Sequence, residues 1–176
     1  MGSNRRYAAH SYICGMKKLF SCLFLLCLSS IAIAQTLRGR AVGISDGDTF
    51  TLLQSDKSTV RVRLYGIDCP EKGQDFGNKA KEFTKDFLKD KNVIVQQKDI
   101  DRYGRIVGIA HVTGTAMSLN EALLQAGLAW HYTYYDHNPE WTALEQNARL
   151  ARKGLWQMKS AVAPWQFRKA ERLLQP

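Results

Sequence analysis

The chain has 176 residues, 45% of them hydrophobic, and carries 25 Lys+Arg against 16 Asp+Glu. That length allows one domain of ordinary size with a real core, and the absence of internal repeats or low-complexity tracts excludes solenoid and fibrous architectures. The formal net charge of +9 suits a polyanionic partner, either nucleic acid or an anionic envelope polymer, without choosing between them.

The first segment reads as a targeting signal rather than as part of the fold. Met16-Lys17-Lys18 is a short basic region, Leu19 to Leu28 is almost wholly apolar, and Ala32-Ile33-Ala34 matches a small-x-small cleavage site. Residues 1–34 are therefore read as an N-terminal extension plus signal peptide, with the start at Met16 and cleavage before Gln35; residues 35–176 form a single domain. The apolar run is short for a membrane span, which needs about 20 residues. The expected product is exported, periplasmic or secreted, with no stable membrane association after cleavage. Cys14, Cys22 and Cys27 all precede Gln35, so Cys69 is left alone and no intramolecular disulfide is expected. Arg5, Arg6, Lys17 and Lys18 also precede it with no acid among them, and removing those four cations leaves a formal +5 of the original +9.

Leu37 to Ile44 and Thr49 to Leu53 read as two short strands joined by Ser45-Asp46-Gly47-Asp48, a hairpin signal whose turn calls for a positive φ at Gly47. Val60-Arg61-Val62-Arg63-Leu64-Tyr65 alternates with period two, which places Val60, Val62 and Leu64 toward a core and the arginines on the other face. Gly66 interrupts that alternation, Pro70 ends it, and Asp68 and Glu71 sit at the exit. Taken alone, this is also what a charge-blunted edge strand looks like. Lys72 to Gly77 is a polar loop. Asn78 to Lys91 is an amphipathic helix capped near Asn78, with Ala80, Phe83, Phe87 and Leu88 on one side. Strands follow at Asn92 to Lys98 and Ile106 to Val112, with the turn Asp99 to Arg105 between them. A second helix spans Ser118 to Gln125 and ends at Gly127. A third opens at Asn138-Pro139-Glu140 and runs to about Lys153, with a buried stripe of Trp141, Leu144, Ala148 and Ala151. The tail, with Trp156, Pro164 and Trp165, folds back on the domain. Five short strands in antiparallel order with a helix after the third predict an α+β fold, a small closed five-stranded OB-fold barrel with three helices.

Three clusters near loops carry chemistry: Asp46-Gly47-Asp48, then Arg63 with Asp68 and Glu71, then Asp101-Arg102-Tyr103-Gly104-Arg105. Each has a plain structural explanation as a turn or a charged edge. Together they offer carboxylate oxygens for a hard cation, two arginines for phosphate oxygens, a spare carboxylate and a tyrosine ring. His111, His131 and His137 lack metal-ligand spacing, and Cys69 lacks a neighbouring base that would make it a nucleophile. Trp130, Tyr132, Tyr134 and Tyr135 could stack bases or simply line a core or groove wall.

Asp46-Gly47-Asp48-Thr49, Arg63 through Glu71 and Asp101 through Arg105, followed in order by Leu119-Asn120-Glu121-Ala122-Leu123 and Gly127-Leu128-Ala129, resemble the signature of the staphylococcal nuclease (thermonuclease) family. The likeness covers Leu37 to Trp165. It implies an OB-fold barrel and a calcium-dependent, sugar-nonspecific endonuclease that hydrolyses phosphodiester bonds of DNA and RNA and leaves 3′-phosphate ends. Carried over by position, Asp48 and Asp68 would bind Ca²⁺ through carboxylates and Cys69 through its backbone carbonyl. Cys69 stands where a threonine is usual in the best-known member, a change that a main-chain ligand tolerates. Arg63 and Arg105 would clasp the phosphate and Glu71 would be the general base. Arg102 and Tyr103 would contact the nucleotide, with Tyr132 and Tyr135 as the further substrate contacts among the later tyrosines. The expected state is a monomer without a protein partner. The alternative is a non-catalytic OB-fold module that binds nucleic acid through the same basic groove.

Overall fold

The structure is a computed structural model that describes residues 35–174; the predicted extension, signal and cleavage site lie outside the described residues. The strands are β1 (Thr36–Asp46), β2 (Thr49–Gln54), β3 (Thr59–Leu64), β4 (Ile67–Asp68), β5 (Val93–Ile100), β6 (Ile106–Val112) and β7 (Trp130–His131). The helices are α1 (Gly77–Leu88), α2 (Leu119–Gln125), α3 (Pro139–Leu150) and α4 (Pro164–Leu174), with a 3₁₀ turn at Gly154–Gln157 before α4. Five strands close into a barrel in the order β1-β2-β3-β6-β5, and β4 pairs with β7 in a separate two-stranded ribbon.

The expected five-stranded barrel is present, but it is mixed rather than antiparallel. β1–β2, β2–β3, β1–β5 and β5–β6 are antiparallel, whereas β3 and β6 run parallel with Arg63 opposite Val107. A parallel pair needs a long crossover, and the chain between Leu64 and Ile106 provides one through α1 and β5. β3 is thus an interior strand, and its charges do not serve to blunt an edge. Its alternation is as read: Val62 and Leu64 are buried while Arg61 is exposed. Phe50, Leu52, Val62, Leu64, Val93 and Val95 fill the interior, each such side chain contributing about 1.5–3 kcal/mol through burial.

Two glycines position the site for different reasons. Gly66 adopts φ +67°, which lets the chain turn out of β3 and re-pair as β4, and the Asp68 carboxylate then meets Arg63 of β3. Gly47 was expected to need a positive φ, but the residues with positive φ do not include it. It is glycine because a Cβ there would lie 2.6 Å from the Ala80 Cβ and 2.8 Å from the Cys69 Cβ. α1 is therefore packed directly on the β1–β2 turn, and the Thr84 hydroxyl donates to the Gly47 carbonyl at 2.5 Å.

Several local expectations shift. α1 begins at Gly77 and has no side-chain cap; Phe76, in the left-handed region at φ 67°, precedes it. α2 is closed by a full capping box, the Ser118 hydroxyl accepting from the Glu121 N–H while the Glu121 carboxylate accepts from the Ser118 N–H. At its far end the N–H groups of Gly127 and Leu128 donate to the Leu124 and Leu123 carbonyls, a Schellman closure. In α3 Asn138 caps the Glu140 N–H. Ala151 is exposed rather than buried, because the helix ends at Leu150 and the chain turns through Arg152 at φ 50°; Glu145 joins Trp141 and Ala148 among the buried residues of the helix. The tail adds a fourth helix, α4, where three were expected.

Candidate active site

The β1–β2 turn, the end of β3 and the β4 exit meet at one place. Asp48 sits in the turn between β1 and β2 and its side chain is buried; Asp68 in β4 is fully buried. Arg63, at the end of β3, lies between them. Its Nη1 is 2.8 Å from Asp48 Oδ1 and its Nη2 is 2.6 Å from Asp68 Oδ1. Asp48 also accepts from the Thr49 hydroxyl at 3.2 Å and, through Oδ2, from the Cys69 backbone N–H at 2.8 Å. The main chain of Cys69 thus fixes one of the two carboxylates.

A second guanidinium arrives from the far end of the chain. Arg168 of α4 holds Asp68 with both arms, Nη2 to Oδ2 at 2.8 Å and Nη1 to Oδ1 at 3.2 Å, and its Nη1 also donates to Glu71 Oε1 at 2.5 Å. The result is an alternating ladder, Asp48–Arg63–Asp68–Arg168–Glu71, with three carboxylates, two guanidinium groups and a formal net charge of −1.

Electrostatics follow from burial. Desolvation pushes the Asp48 carboxyl well above the usual range, against the opposing pull of Arg63, and the neighbouring Asp46 and Asp68 add to the rise. Burial works to lower the Arg63 pKa, but Asp48 and Asp68 outweigh it and hold the guanidinium more firmly protonated than usual. Burial first, then the Asp48 charge, drives the Cys69 thiol upward, so it stays a neutral thiol and not a nucleophile.

The turn Asp101 to Arg105 forms a separate cluster. Arg105 Nε bonds Asp101 Oδ2 at 2.6 Å, and Asp101 Oδ1 accepts from the backbone N–H groups of Tyr103 and Arg105. Tyr103 is largely exposed, with the Arg102 guanidinium 4.9 Å and the Arg105 guanidinium 5.5 Å from its ring centre. Among the described residues no hydrogen bond joins this cluster to the ladder. The register nevertheless sets the turn beside the end of β3: it leads into Ile106, which pairs with Val62, and Val107 pairs with Arg63.

The aromatic candidates divide. Trp130 is buried against Trp156, with ring centres 5.0 Å apart, and belongs to a small core with Leu155 and Ala163. Tyr132 stacks on Trp165 of α4 at 5.1 Å and 20°, whereas Tyr134 and Tyr135 are exposed. His131 is locked between Thr142 and Asp136 at 3.0 and 2.8 Å, a structural role that its sequence context allowed.

A family model described as staphylococcal nuclease homologue matches residues 61–158. The chain belongs to the staphylococcal nuclease family. It is accordingly an enzyme of the phosphodiesterase class, and the barrel agrees with the family's OB-fold. It is 40% identical over 163 residues to Protein ParB of Escherichia coli, covering 88% of this chain and 91% of that one. It is 37% identical over 146 residues to an uncharacterized endonuclease of Escherichia coli, covering 83% and 94%, and 37% identical over 144 residues to the micrococcal nuclease of Shigella flexneri, covering 77% and 82%. The segment matched to the staphylococcal nuclease family contains Arg63, Asp68, Glu71 and Arg105, while Asp48 and Arg168 lie outside it.

Arg168 is the residue that sequence reasoning missed. Nothing within Gln166 to Glu171 marks it apart from other basic helix positions; the only available signal was Pro164-Trp165, which starts a helix that has an aromatic anchor.

Proposed function

We propose that this enzyme is an exported, sugar-nonspecific endonuclease that hydrolyses phosphodiester bonds in DNA and RNA with Ca²⁺ and leaves 3′-phosphate ends. The observation that carries the reading is the ladder: the carboxylates of Asp48, Asp68 and Glu71 meet around Arg63 and the distant Arg168 at one end of the barrel.

The residues fit a hard cation by their chemistry. A carboxylate has about four lone-pair sites. Asp48 and Asp68 each use three toward the protein and keep one on Oδ2. Asp48, Asp68 and the Cys69 carbonyl would hold the ion as an all-oxygen set suited to Ca²⁺; when bound, it would neutralise phosphate charge. The formal charges also agree, since a site of −1 gains two charges from the ion and loses one to the diester.

The protein groups then have distinct tasks. Arg63 spends two of its five N–H donors on Asp48 and Asp68 and keeps three for a phosphate oxygen. Arg105 spends its Nε on Asp101, leaving both terminal nitrogens for a bidentate grip. Glu71 has a side chain 30% exposed, open enough to meet water and take its proton. Tyr103, flanked by Arg102 and Arg105, offers a ring for a base or sugar, and Tyr135 offers another. Contacts centred on phosphate leave base sequence largely unread.

The deciding experiment is digestion of plasmid DNA and of RNA by the purified protein with Ca²⁺ and with a calcium chelator, followed by end-group analysis. Cleavage of both polymers in Ca²⁺ alone, with 3′-phosphate products, is expected. Binding without cleavage would replace the enzyme reading by the binding-module one, and full activity in chelator would remove the ion. N-terminal sequencing of exported protein should begin at Gln35.

A further inference from the structure

We propose that Arg168 is a positioning residue of this active site: clamped by Asp68, it holds the Glu71 carboxylate in the place from which it takes the proton of the attacking water. The inference rests on the hydrolytic reading above and adds to it a residue from outside the segment matched to the family.

The side chain of Glu71 has one hydrogen-bond partner among the described residues, and that partner is Arg168. A glutamate without such a contact samples several rotamers, and a misplacement of about 1 Å at a reacting group can cost a hundredfold in rate. The Arg168 guanidinium is itself oriented, because its two-armed bond to the fully buried Asp68 fixes both the plane and the direction of the fork. Asp68 therefore aims Arg168, and Arg168 aims Glu71.

The way α4 is attached supports this assignment. Its first turn is seated by the buried Ala163 and Pro164, with Trp165 stacked on Tyr132. Gln74 links the loop after Glu71 to the segment before α4: its side-chain oxygen accepts from the Glu71 N–H at 3.1 Å and its amide donates to the Val162 carbonyl at 2.6 Å. Beyond Arg168, residues 169–174 are exposed. The deepest polar contact of the helix is thus made at the site, and the anchoring of its first turn does not need it. A bridge that served only to pin the helix could end on one carboxylate; this one spans two.

The test is a double-mutant cycle of Arg168→Ala and Glu71→Gln, with Arg168→Lys as the conservative variant, reading kcat and KM, Ca²⁺ affinity by calorimetry and Tm. Arg168→Ala should lower kcat about 10–100-fold at saturating Ca²⁺, while KM stays within about threefold and Ca²⁺ binds no more weakly, since Asp68 loses a competing cation. In the Glu71→Gln background it should lower kcat no further than about twofold, since coupled residues are not additive. Arg168→Lys should recover part of kcat, because an ammonium reaches one carboxylate but lacks the fork. An additive loss, a loss confined to KM, or an increase in rate with tighter Ca²⁺ binding would overturn the assignment. So would unchanged kcat in Arg168→Ala while the wild type cleaves. Absence of cleavage by the wild type would instead count against the hydrolytic reading, which separates the two failures. If Arg168→Ala does not fold, Arg168→Lys in the same cycle decides the matter.

Discussion

Arg63 and Asp68 are five residues apart in sequence, yet they meet across a change of sheet, with Arg63 Nη2 2.6 Å from Asp68 Oδ1. The contact exists because Gly66 turns the chain out of β3 and β4 pairs with Trp130 and His131 instead. Removing the guanidinium by Arg63→Ala leaves two buried carboxylates with one charge partner fewer, which should cost about 3–5 kcal/mol. Urea unfolding in chelator measures that loss, and added Ca²⁺ should restore part of it. Lost activity in this variant is therefore not a clean reading of catalysis, and Arg63→Lys is the better kinetic probe.

Asp48 gives a prediction with a definite pH sign. Its folded-state pKa is raised by burial and by Asp46 and Asp68, above an unfolded value of about 3.9. The stability associated with the protonated carboxyl is complete below that value and is lost as the pH rises through the folded pKa. In chelator, the Tm of Asp48→Asn should gain on that of wild type as the pH rises from about 4 through the raised folded-state pKa, and the difference should stay constant below about 4. A Tm difference independent of pH would contradict the burial argument.

Glu71→Gln removes the assigned base but keeps a side chain of the same shape beside Arg168. We expect a fall in kcat of about 10²–10⁴ with Tm nearly unchanged, since Glu71 is partly exposed. Steady-state cleavage and a thermal melt check the two halves of that expectation.

Arg105 is held by Asp101 at 2.6 Å in a turn that the ladder does not touch. Arg105→Ala should lower the rate about 10²–10³, as loss of one preorganised donor does, with little change in Ca²⁺ affinity. Asp101→Ala should cost less, because the Gly104 turn at φ +75° remains. Equal losses in both variants would mean that Asp101 does more than orient its neighbour.

Gly47→Ala tests the packing of the β1–β2 turn on α1. The new methyl would fall 2.6 Å from Ala80 Cβ and 2.9 Å from Cys69 Sγ, so the turn or the helix must move. A loss of about 1–3 kcal/mol is expected, together with weaker Ca²⁺ binding, because Asp48 adjoins the displaced residue.

What the sequence determined by itself was everything written in local periodicity. The alternation of Val60 to Leu64, the Asp46-Gly47-Asp48 turn, the Gly127 helix end and the Asn138-Pro139 helix start each state their structure in a few consecutive residues, because backbone hydrogen bonding and side-chain direction repeat over short distances. The ordered motifs also singled out Asp48, Arg63, Asp68, Glu71 and Arg105 as candidates. Other features were set only by tertiary structure: the parallel β3–β6 pair, the β4–β7 ribbon, the reason for Gly47, and the arrival of Arg168 between Asp68 and Glu71. Each depends on which distant surfaces meet, and a lone arginine on an amphipathic helix looks the same in sequence whether it faces water or two buried carboxylates.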